Sequence, residues 1–513
     1  MIKLSDIYLG NIDAKNELLN NSPEERNRFK TSFVSPPNLV TEKFIEKEKY
    51  FVTGLKGTGK TALLRYISIA LDDLPNSSSH FMLFKTDVDE DTRKEFSKAS
   101  RVQVADSNSE SFDGDDFEMV WRWFIYRKIA EAISEGSSEV FQKNANLEKF
   151  IELVNSEYRS DKKQGLMRLI PTIRKGTIEI SNSPKLGLEL DWNEAGTAKI
   201  QFNDLVRKAD TAFNALQQEN DRLNIFFDEL ELNYNTQKQY QRDARLVRDL
   251  IVSVEKINAI AKSKGFNLCL YAAIRSEVQT AVSSLGKEIN KALLGFGTEI
   301  LWNRPGIDDS QQPLLFIIEQ RINNARESAG LERLPSNSLW ENYFPKDIQG
   351  KKPQTYILHN SWYRPRDVVR LLMIAQTQYP NEKTFKHEAF DSIRKNYSRD
   401  SWVEITEELK SKYRMEEIEG IKTFLYGYKQ IFSRAEALSR SENVSQDHEE
   451  ADTLFKKTKI NTLLKDLFRI GAIGNIHPHN RKMRFSFRGD DEILLDQDAF
   501  VHNALKAHLS IYP

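Results

Sequence analysis

Gly54-Leu55-Lys56-Gly57-Thr58-Gly59-Lys60-Thr61 is the stretch that decides the fold. It follows the apolar run Tyr50-Phe51-Val52 and opens onto Ala62-Leu63-Leu64-Arg65-Tyr66-Ile67, which reads as strand, glycine-rich loop and helix start. The glycines let the backbone curl, so that N–H groups between Gly54 and Ala62 turn inward as a nest for phosphate oxygens. The new helix adds the positive end of its dipole. Lys60 is placed to reach the β and γ phosphates, and Thr61 to hold Mg²⁺. An ordinary glycine-rich turn is the plain alternative; the strand before and the helix after argue against it.

Downstream, Leu223-Asn224-Ile225-Phe226-Phe227 leads into Asp228-Glu229. The apolar run places Asp228 at the carboxyl end of a buried strand, where open α/β sheets bind their ligands. Asp228 is expected beside Mg²⁺, aligned with Thr61, and Glu229 is the candidate base that polarises an attacking water. An acidic pair that merely ends a strand is the alternative. The next apolar strand, Leu268 to Ile274, ends in Arg275, a cation placed to touch the γ-phosphate or to sit solvated at the surface. In Trp362-Tyr363-Arg364-Pro365-Arg366-Asp367, Pro365 suits the first turn of a helix. Arg364 and Arg366 stand at its start, where a helical domain folding back would bring them to a phosphate, their planar donor forks matching its oxygens. The competing reading pairs them with Asp367 or surface carboxylates.

Alternating strands and helices predict a parallel sheet covered on both faces, an α/β fold. Candidate strands are 49–53, 81–86, 223–228, 267–273 and 298–302; candidate helices are 12–20, 60–72, 116–135, 203–219 and 237–264. The expected domains are an N-terminal segment 1–48, a phosphate-binding core 49–305, a helical lid 306–440 and a winged-helix-like domain 441–513. Within the core, 136–200 is polar and reads as an insertion holding a β-hairpin of 177–180 with 186–190, which 198–202 is placed to join. Residues 441–453 read as a linker or mobile loop. The last unit reads as a helix at 459–469, a basic turn from His477 to Lys482, the strand Met483 to Phe487, and a terminal helix at 498–508.

The 513 residues carry 74 basic and 75 acidic side chains, so net charge offers no argument for nucleic acid or an anionic membrane. Mean hydropathy is negative, and no apolar run approaches the roughly 20 residues that span a bilayer. Cys269 is the single cysteine, which excludes an internal disulfide and argues against a zinc-thiolate site. His477 and His479 read as surface loop residues rather than metal ligands. The N-terminus has no secretory pattern, and a cytoplasmic location is expected.

These motifs, in this order, resemble those of AAA+ and STAND-type P-loop ATPases. The loop ending in Lys60 and Thr61 looks like Walker A, Asp228-Glu229 like Walker B, Arg275 like a sensor-1 arginine, and Tyr363 to Val368 like the sensor-2 segment of a helical lid. Tyr8-Leu9-Gly10-Asn11-Ile12-Asp13-Ala14 resembles the box that packs near adenine, with Asn11 where arginine is usual. More narrowly, the chain looks like the bacterial FunZ-type P-loop ATPases. The resemblance implies ATP and Mg²⁺ as cofactors, with Lys60, Glu229 and Arg275 catalytic and Arg364 and Arg366 on the nucleotide. It implies a homo-oligomer completed by an arginine finger, for which Arg304, Arg242 and Arg245 are candidates. It also implies a switch that controls assembly or a separate effector protein, a build found in antiphage defence. The competing function is a winged-helix DNA-binding ATPase of initiator or transposition-regulator type, using nucleic-acid contacts within 455–513 and basic groups such as Arg481, Lys482, Arg484 and Arg488.

Overall fold

Every strand of the main sheet ends at the same edge, because all of its pairings are parallel. The computed structural model describes residues 1–18, 21–88, 93–94, 117–136, 138–155, 177–181, 197–232, 237–283, 285–477, 479 and 482–513. Two compact units divide the chain: residues 39–56 with 60–300, and residues 1–38 with 57–59 and 301–513.

In the first unit the strands are β1 (Phe51–Gly54), β2 (Ser77–Leu83), β3 (Thr177–Ser181), β4 (Thr197–Gln201), β5 (Arg222–Leu230), β6 (Leu268–Arg275) and β7 (Gly297–Glu299). Five of them form one parallel sheet in the order β2-β5-β6-β1-β7. β5 and β6 are buried along nearly their whole length, as strands covered on both faces must be. β1 lies between β6 and β7, so the sheet changes direction of progression at β1. The turn that leaves it emerges where such sheets hold ligands.

Four of the five core strands lie at or within a few residues of their expected positions. β2 starts earlier than 81–86, and Phe84–Asp87 is a helical turn. Its first half, Ser77-Ser78-Ser79-His80, is polar because β2 is an edge strand, paired on one side only and half-buried; no apolar run marks it. In the interrupting region, Ala145–Asn155 is a helix with Leu147, Phe150, Leu153 and Val154 buried. Thr177–Ser181 pairs antiparallel with Thr197–Gln201, Ile178 opposite Ile200. The expected partner at 186–190 lies outside the described residues.

The aromatic core sits on the helix Glu118–Ser134, where Val120, Trp121, Trp123, Phe124, Ile125 and Tyr126 are all buried. Trp121 meets Phe124 and Phe227 edge-on at 5.6 and 6.3 Å, and its Nε1 donates to Leu246 O at 2.8 Å. Helices Lys60–Asp72 and Gln237–Lys264 match their expected spans, and the expected 203–219 is Phe202–Asn214.

The second unit is mainly helical, with Phe316–Ser328, Ser336–Tyr343, Pro353–His359, Pro365–Gln378 and His387–Leu409 in its middle. The short N-terminal helix is a 3-10 turn, Ala14–Leu18. Towards the C-terminus come helices Met415–Leu425, Arg434–Asp447, Glu449–Lys457 and Ile460–Arg469. A four-stranded antiparallel sheet joins them: β8 (Ile431–Phe432), β9 (Ile473–Ile476), β10 (Met483–Arg484) and β11 (Asp498–Val501), in the order β10-β9-β11-β8.

Two expectations fail here. Residues 441–453 are not a linker but parts of two helices. Ser433 accepts from Glu436 N while the Glu436 carboxylate accepts from Ser433 N, a capping box that starts the first helix. Val444, Ala451 and Leu454 are its and its neighbour's buried contacts; the polar residues are outer faces. The expected terminal helix 498–508 is instead β11 followed by a 3-10 turn, Asn503–Leu505, because β9 and β8 flank β11 and claim its backbone. No helix among the described residues is long and apolar enough to cross a membrane.

Trp121→Ala removes the centre of the aromatic core and its Nε1 hydrogen bond to Leu246 O. It is expected to destabilise the first unit by about 3–5 kcal/mol through the cavity left, read as an early unfolding transition in calorimetry or denaturant titration. Retention of wild-type stability would contradict this account of the core.

Candidate functional site

β1 ends at Gly54, and the loop beyond it turns through Gly57 at φ 82° and Gly59 at φ 96°. A side chain at either position would be strained, and the nest of N–H groups requires that curl. The helix Lys60–Asp72 starts immediately after. The Lys60 ammonium is drawn back over its own loop, donating to Gly54 O at 2.7 Å and Leu55 O at 2.8 Å. Lys60 and Thr58 are both buried. Leu55, Lys56, Thr61 and Ala62 complete the expected phosphate-binding segment.

At the end of β5 the register with β6 shifts between Phe227 and Leu230. Asp228 and Glu229 occupy that bulge, and Glu229 has φ 56°. A left-handed backbone at a non-glycine residue costs about 1–2 kcal/mol and re-aims the side chain; bulges of this kind cluster beside active sites. The Glu229 N–H donates to Asp228 Oδ1 at 2.8 Å. Asp228 is 3% exposed, and its Oδ2 is buried without a hydrogen-bond partner among the described residues. Burial pushes the Asp228 carboxyl above its usual range, against the opposing pull of the Glu229 N–H, the Thr61 hydroxyl, Lys60 and Arg65. An orphaned, dehydrated carboxylate oxygen beside a threonine hydroxyl is the donor chemistry that a hydrated Mg²⁺ satisfies, so these residues fit that ion.

Arg275 ends β6 in register with Gly54 of β1. Its guanidinium pairs with Glu231 and lies 3.6 Å from Glu277. Glu231 also meets Lys85 at 3.2 Å. Burial alone would raise the Glu231 carboxyl, but Arg275 and Lys85 outweigh it and hold it below its usual range. Arg65 lies over the Phe81 ring, 3.7 Å from its centroid. Burial lowers its pKa, with Asp228 and Glu229 opposing. Neither Glu231 nor Arg65 was singled out from the sequence. The acidic spacing Asp228-Glu229-Leu230-Glu231 was the available signal for the first; nothing local marked the second.

In the second unit, Arg364 pairs with Glu408 at 3.0 Å and Arg366 with Glu404 at 3.7 Å, while Asp367 is taken by Arg370 at 2.9 Å. Pro365 opens the helix Pro365–Gln378 as expected. Gly57–Gly59 belong to this unit. The Arg366 N–H approaches Gly57 O at 3.4 Å, and a Cβ on Gly57 would lie 3.4 Å from Arg366 Cβ and 3.5 Å from Arg364 Cδ. Within this unit, both arginines therefore lie against Gly57.

Arg242 and Arg245 lie on the helix Gln237–Lys264, Arg242 paired with Asp243 at 2.8 Å, and Arg304 donates to Pro37 O at 3.2 Å. In the basic turn, Arg481 lies outside the described residues and Arg484 is held by Asp490 at 2.9 Å. His477 and His479 stand with ring centroids 5.8 Å apart, and no cluster of three metal-ligating side chains occurs among the described residues.

Residues 312–406 match the FunZ-associated C-terminal helical domain. The chain is similar to the FunZ-type P-loop ATPases. The matched stretch contains Arg364 and Arg366; the loop, Asp228 and Arg275 precede it. No curated protein matches the chain. Among solved structures, the crystal structure of Cdc6p from Pyrobaculum aerophilum is similar over 93% of each chain at 9% identity, with a TM-score of 0.33.

Because the folded-state pKa of Asp228 is raised, its contribution to stability is fully present below about pH 3.9, the unfolded carboxyl value. It is lost as pH rises through the raised value. Asp228→Asn is expected to remove that loss and to raise the neutral-pH Tm of nucleotide-free protein by about 2–4 °C for each kcal/mol relieved. Thermal scans at acid and neutral pH check it; equal destabilisation at both would contradict the account.

Proposed function

We propose that the chain is an ATP-binding and ATP-hydrolysing switch whose nucleotide state controls its own assembly or a partner protein. The observation that carries this reading is the buried Asp228 with its orphaned oxygen, beside Thr61, at the sheet edge from which the Gly54–Lys60 loop emerges. In this reading the N–H groups of the loop hold phosphate oxygens, and Thr61 with Asp228 holds Mg²⁺, which when bound neutralises phosphate charge. Lys60 exchanges Gly54 O and Leu55 O for phosphate oxygens. Glu229, aimed by the bulge, accepts a proton from the attacking water. Arg275 pairs with Glu231 and faces Glu277, so a phosphate would compete with carboxylates for its guanidinium, which supports a sensing role. Arg364 and Arg366 report nucleotide from the helical domain.

The resemblance to FunZ-type ATPases supports a cytoplasmic, homo-oligomeric machine that acts with a separate effector, with antiphage defence as its setting. Arg304, Arg242 and Arg245 stay candidates for a finger offered to a neighbouring subunit. A second reading, DNA binding, draws on the order of helices Arg434–Asp447, Glu449–Lys457 and Ile460–Arg469 followed by the β9–β10 hairpin, which is that of a winged helix. The self-pairing of Arg484 with Asp490 weighs against that reading. Affinity for duplex DNA that falls with salt, and weakens on neutralising Lys482 and Arg484, would favour it.

Lys60→Ala is expected to abolish the rise in Tm that MgATP gives the wild type. Glu229→Gln is expected to keep that rise while phosphate release falls by about 10²–10⁴-fold. Equal, slow release by wild type and Glu229→Gln would overturn hydrolysis.

A further inference from the structure

Trp362 and Tyr363 precede Arg364 with φ 45° and 51°. Two consecutive aromatic residues in the left-handed region are costly, about 1–2 kcal/mol each, where glycine would adopt the turn freely. Such strain persists only where the surroundings over-determine it, and here they do. The Trp362 ring stacks on His502 at 4.0 Å and 13°, and its Nε1 donates to Gly471 O at 2.8 Å. Gly471 itself has φ 76°, and a Cβ there would lie 2.9 Å from both Trp362 Cδ1 and Phe487 Cδ1. The Tyr363 hydroxyl donates to Asp309 Oδ1 at 3.0 Å and accepts from Arg488, whose guanidinium also lies 4.6 Å from the Tyr363 ring centroid. His359 Nε2 stands 3.1 Å from Asp309 Oδ2.

The gripping groups come largely from the C-terminal segment that carries β9, β10 and β11: Gly471, Phe487, Arg488 and His502. The gripped residues are the two immediately before Arg364. On the far side of the elbow, Arg364 N donates to Ser361 O at 2.9 Å and the helix begins, with Arg364 and Arg366 against Gly57. All of these residues belong to one compact unit. His502 is buried, and burial, with His359, Arg364 and Arg488, pushes its imidazole well below the usual histidine range.

We infer that Trp362 and Tyr363 are positioning residues, through which the C-terminal β9–β11 segment sets Arg364 and Arg366 against the Gly57–Gly59 loop. A partner that displaces this segment then changes nucleotide affinity, and nucleotide changes affinity for that partner by the same factor. The inference rests on the ATP reading above.

The test is a double-mutant cycle on equilibrium affinity for MgATP. Arg488→Ala and Tyr363→Phe each remove part of the grip without removing a group placed on phosphate. Each is expected to weaken MgATP binding by about five-fold or more, within the usual range for coupled sites. In an Arg364→Ala/Arg366→Ala background the further loss is expected to disappear, because the grip acts only through those arginines. A merely structural role would lower Tm and leave affinity unchanged, or give losses that add in both backgrounds; either result overturns the inference. Tyr363→Phe keeps the ring and its packing, so a folded variant is available if Arg488→Ala unfolds. If wild type and Lys60→Ala both fail to bind MgATP, the ATP reading fails and this inference with it. If wild type binds, Lys60→Ala does not, and the two grip variants bind as wild type, only this inference fails.

Discussion

A carboxylate taken out of water at the end of β5 is the constraint on which the functional reading depends. An ionised group buried without full compensation costs several kcal/mol, and proteins ordinarily pair it or let it protonate. Asp228 receives one backbone N–H and lies near Thr61, Lys60 and Arg65, yet one oxygen keeps no hydrogen bond. β5 is held between β2 and β6 in a parallel register that fixes where Asp228 emerges. The sheet therefore holds an acid in an unfavourable place, and a cation completing its shell would relieve that cost.

Local backbone strain follows the same logic. Among the non-glycine residues with positive φ are Glu229, beside that carboxylate, and Trp362 and Tyr363, beside the arginines that reach the glycine loop. Each is held by its surroundings rather than by its own preference: Glu229 by the bulge between β5 and β6, the aromatic pair by Gly471, Phe487, Arg488, His502 and Asp309. A strained residue held by distant parts of the chain responds to movements of those parts. This is the physical route by which the proposed nucleotide site would be coupled to a remote segment.

The sequence made legible what local chemistry encodes. The glycine loop, β5 and β6 are visible because burial on both faces demands apolar runs, and the Pro365 helix because proline fits only its first turn. β2 lies off its expected position because an edge strand needs no apolar pattern: Ser77 to His80 satisfy half-buried positions. The helices through 441–453 were hidden by their outer faces, since Val444, Ala451 and Leu454 are few among polar residues. The strand Asp498–Val501 is not visible in the sequence because only its two neighbours, distant in the chain, decide its state. The same reason conceals the Glu231–Arg275 pair, the Arg65–Phe81 contact and the aromatic elbow. Each joins residues far apart in the chain, and the elbow uses Trp and Tyr where the turn would ordinarily advertise itself with glycine.

The cations expected to meet phosphate already carry partners. Lys60 donates to two loop carbonyls and Arg275 pairs with Glu231 in one unit, while Arg364 and Arg366 face Glu408 and Glu404 in the other. Such pairing keeps like charges from repelling one another and avoids the cost of a buried unpaired cation. On the proposed ATP reading it makes nucleotide binding an exchange, in which each guanidinium or ammonium would give up one set of oxygens for another. Only the difference between the two sets appears as affinity. A site built this way discriminates less by how tightly it holds a nucleotide than by how many exchanges a given nucleotide completes. On that reading a triphosphate offers more oxygens than a diphosphate for such exchanges. Differential binding of that kind is what a nucleotide-controlled switch requires, because a ligand that satisfies both conformations equally shifts neither.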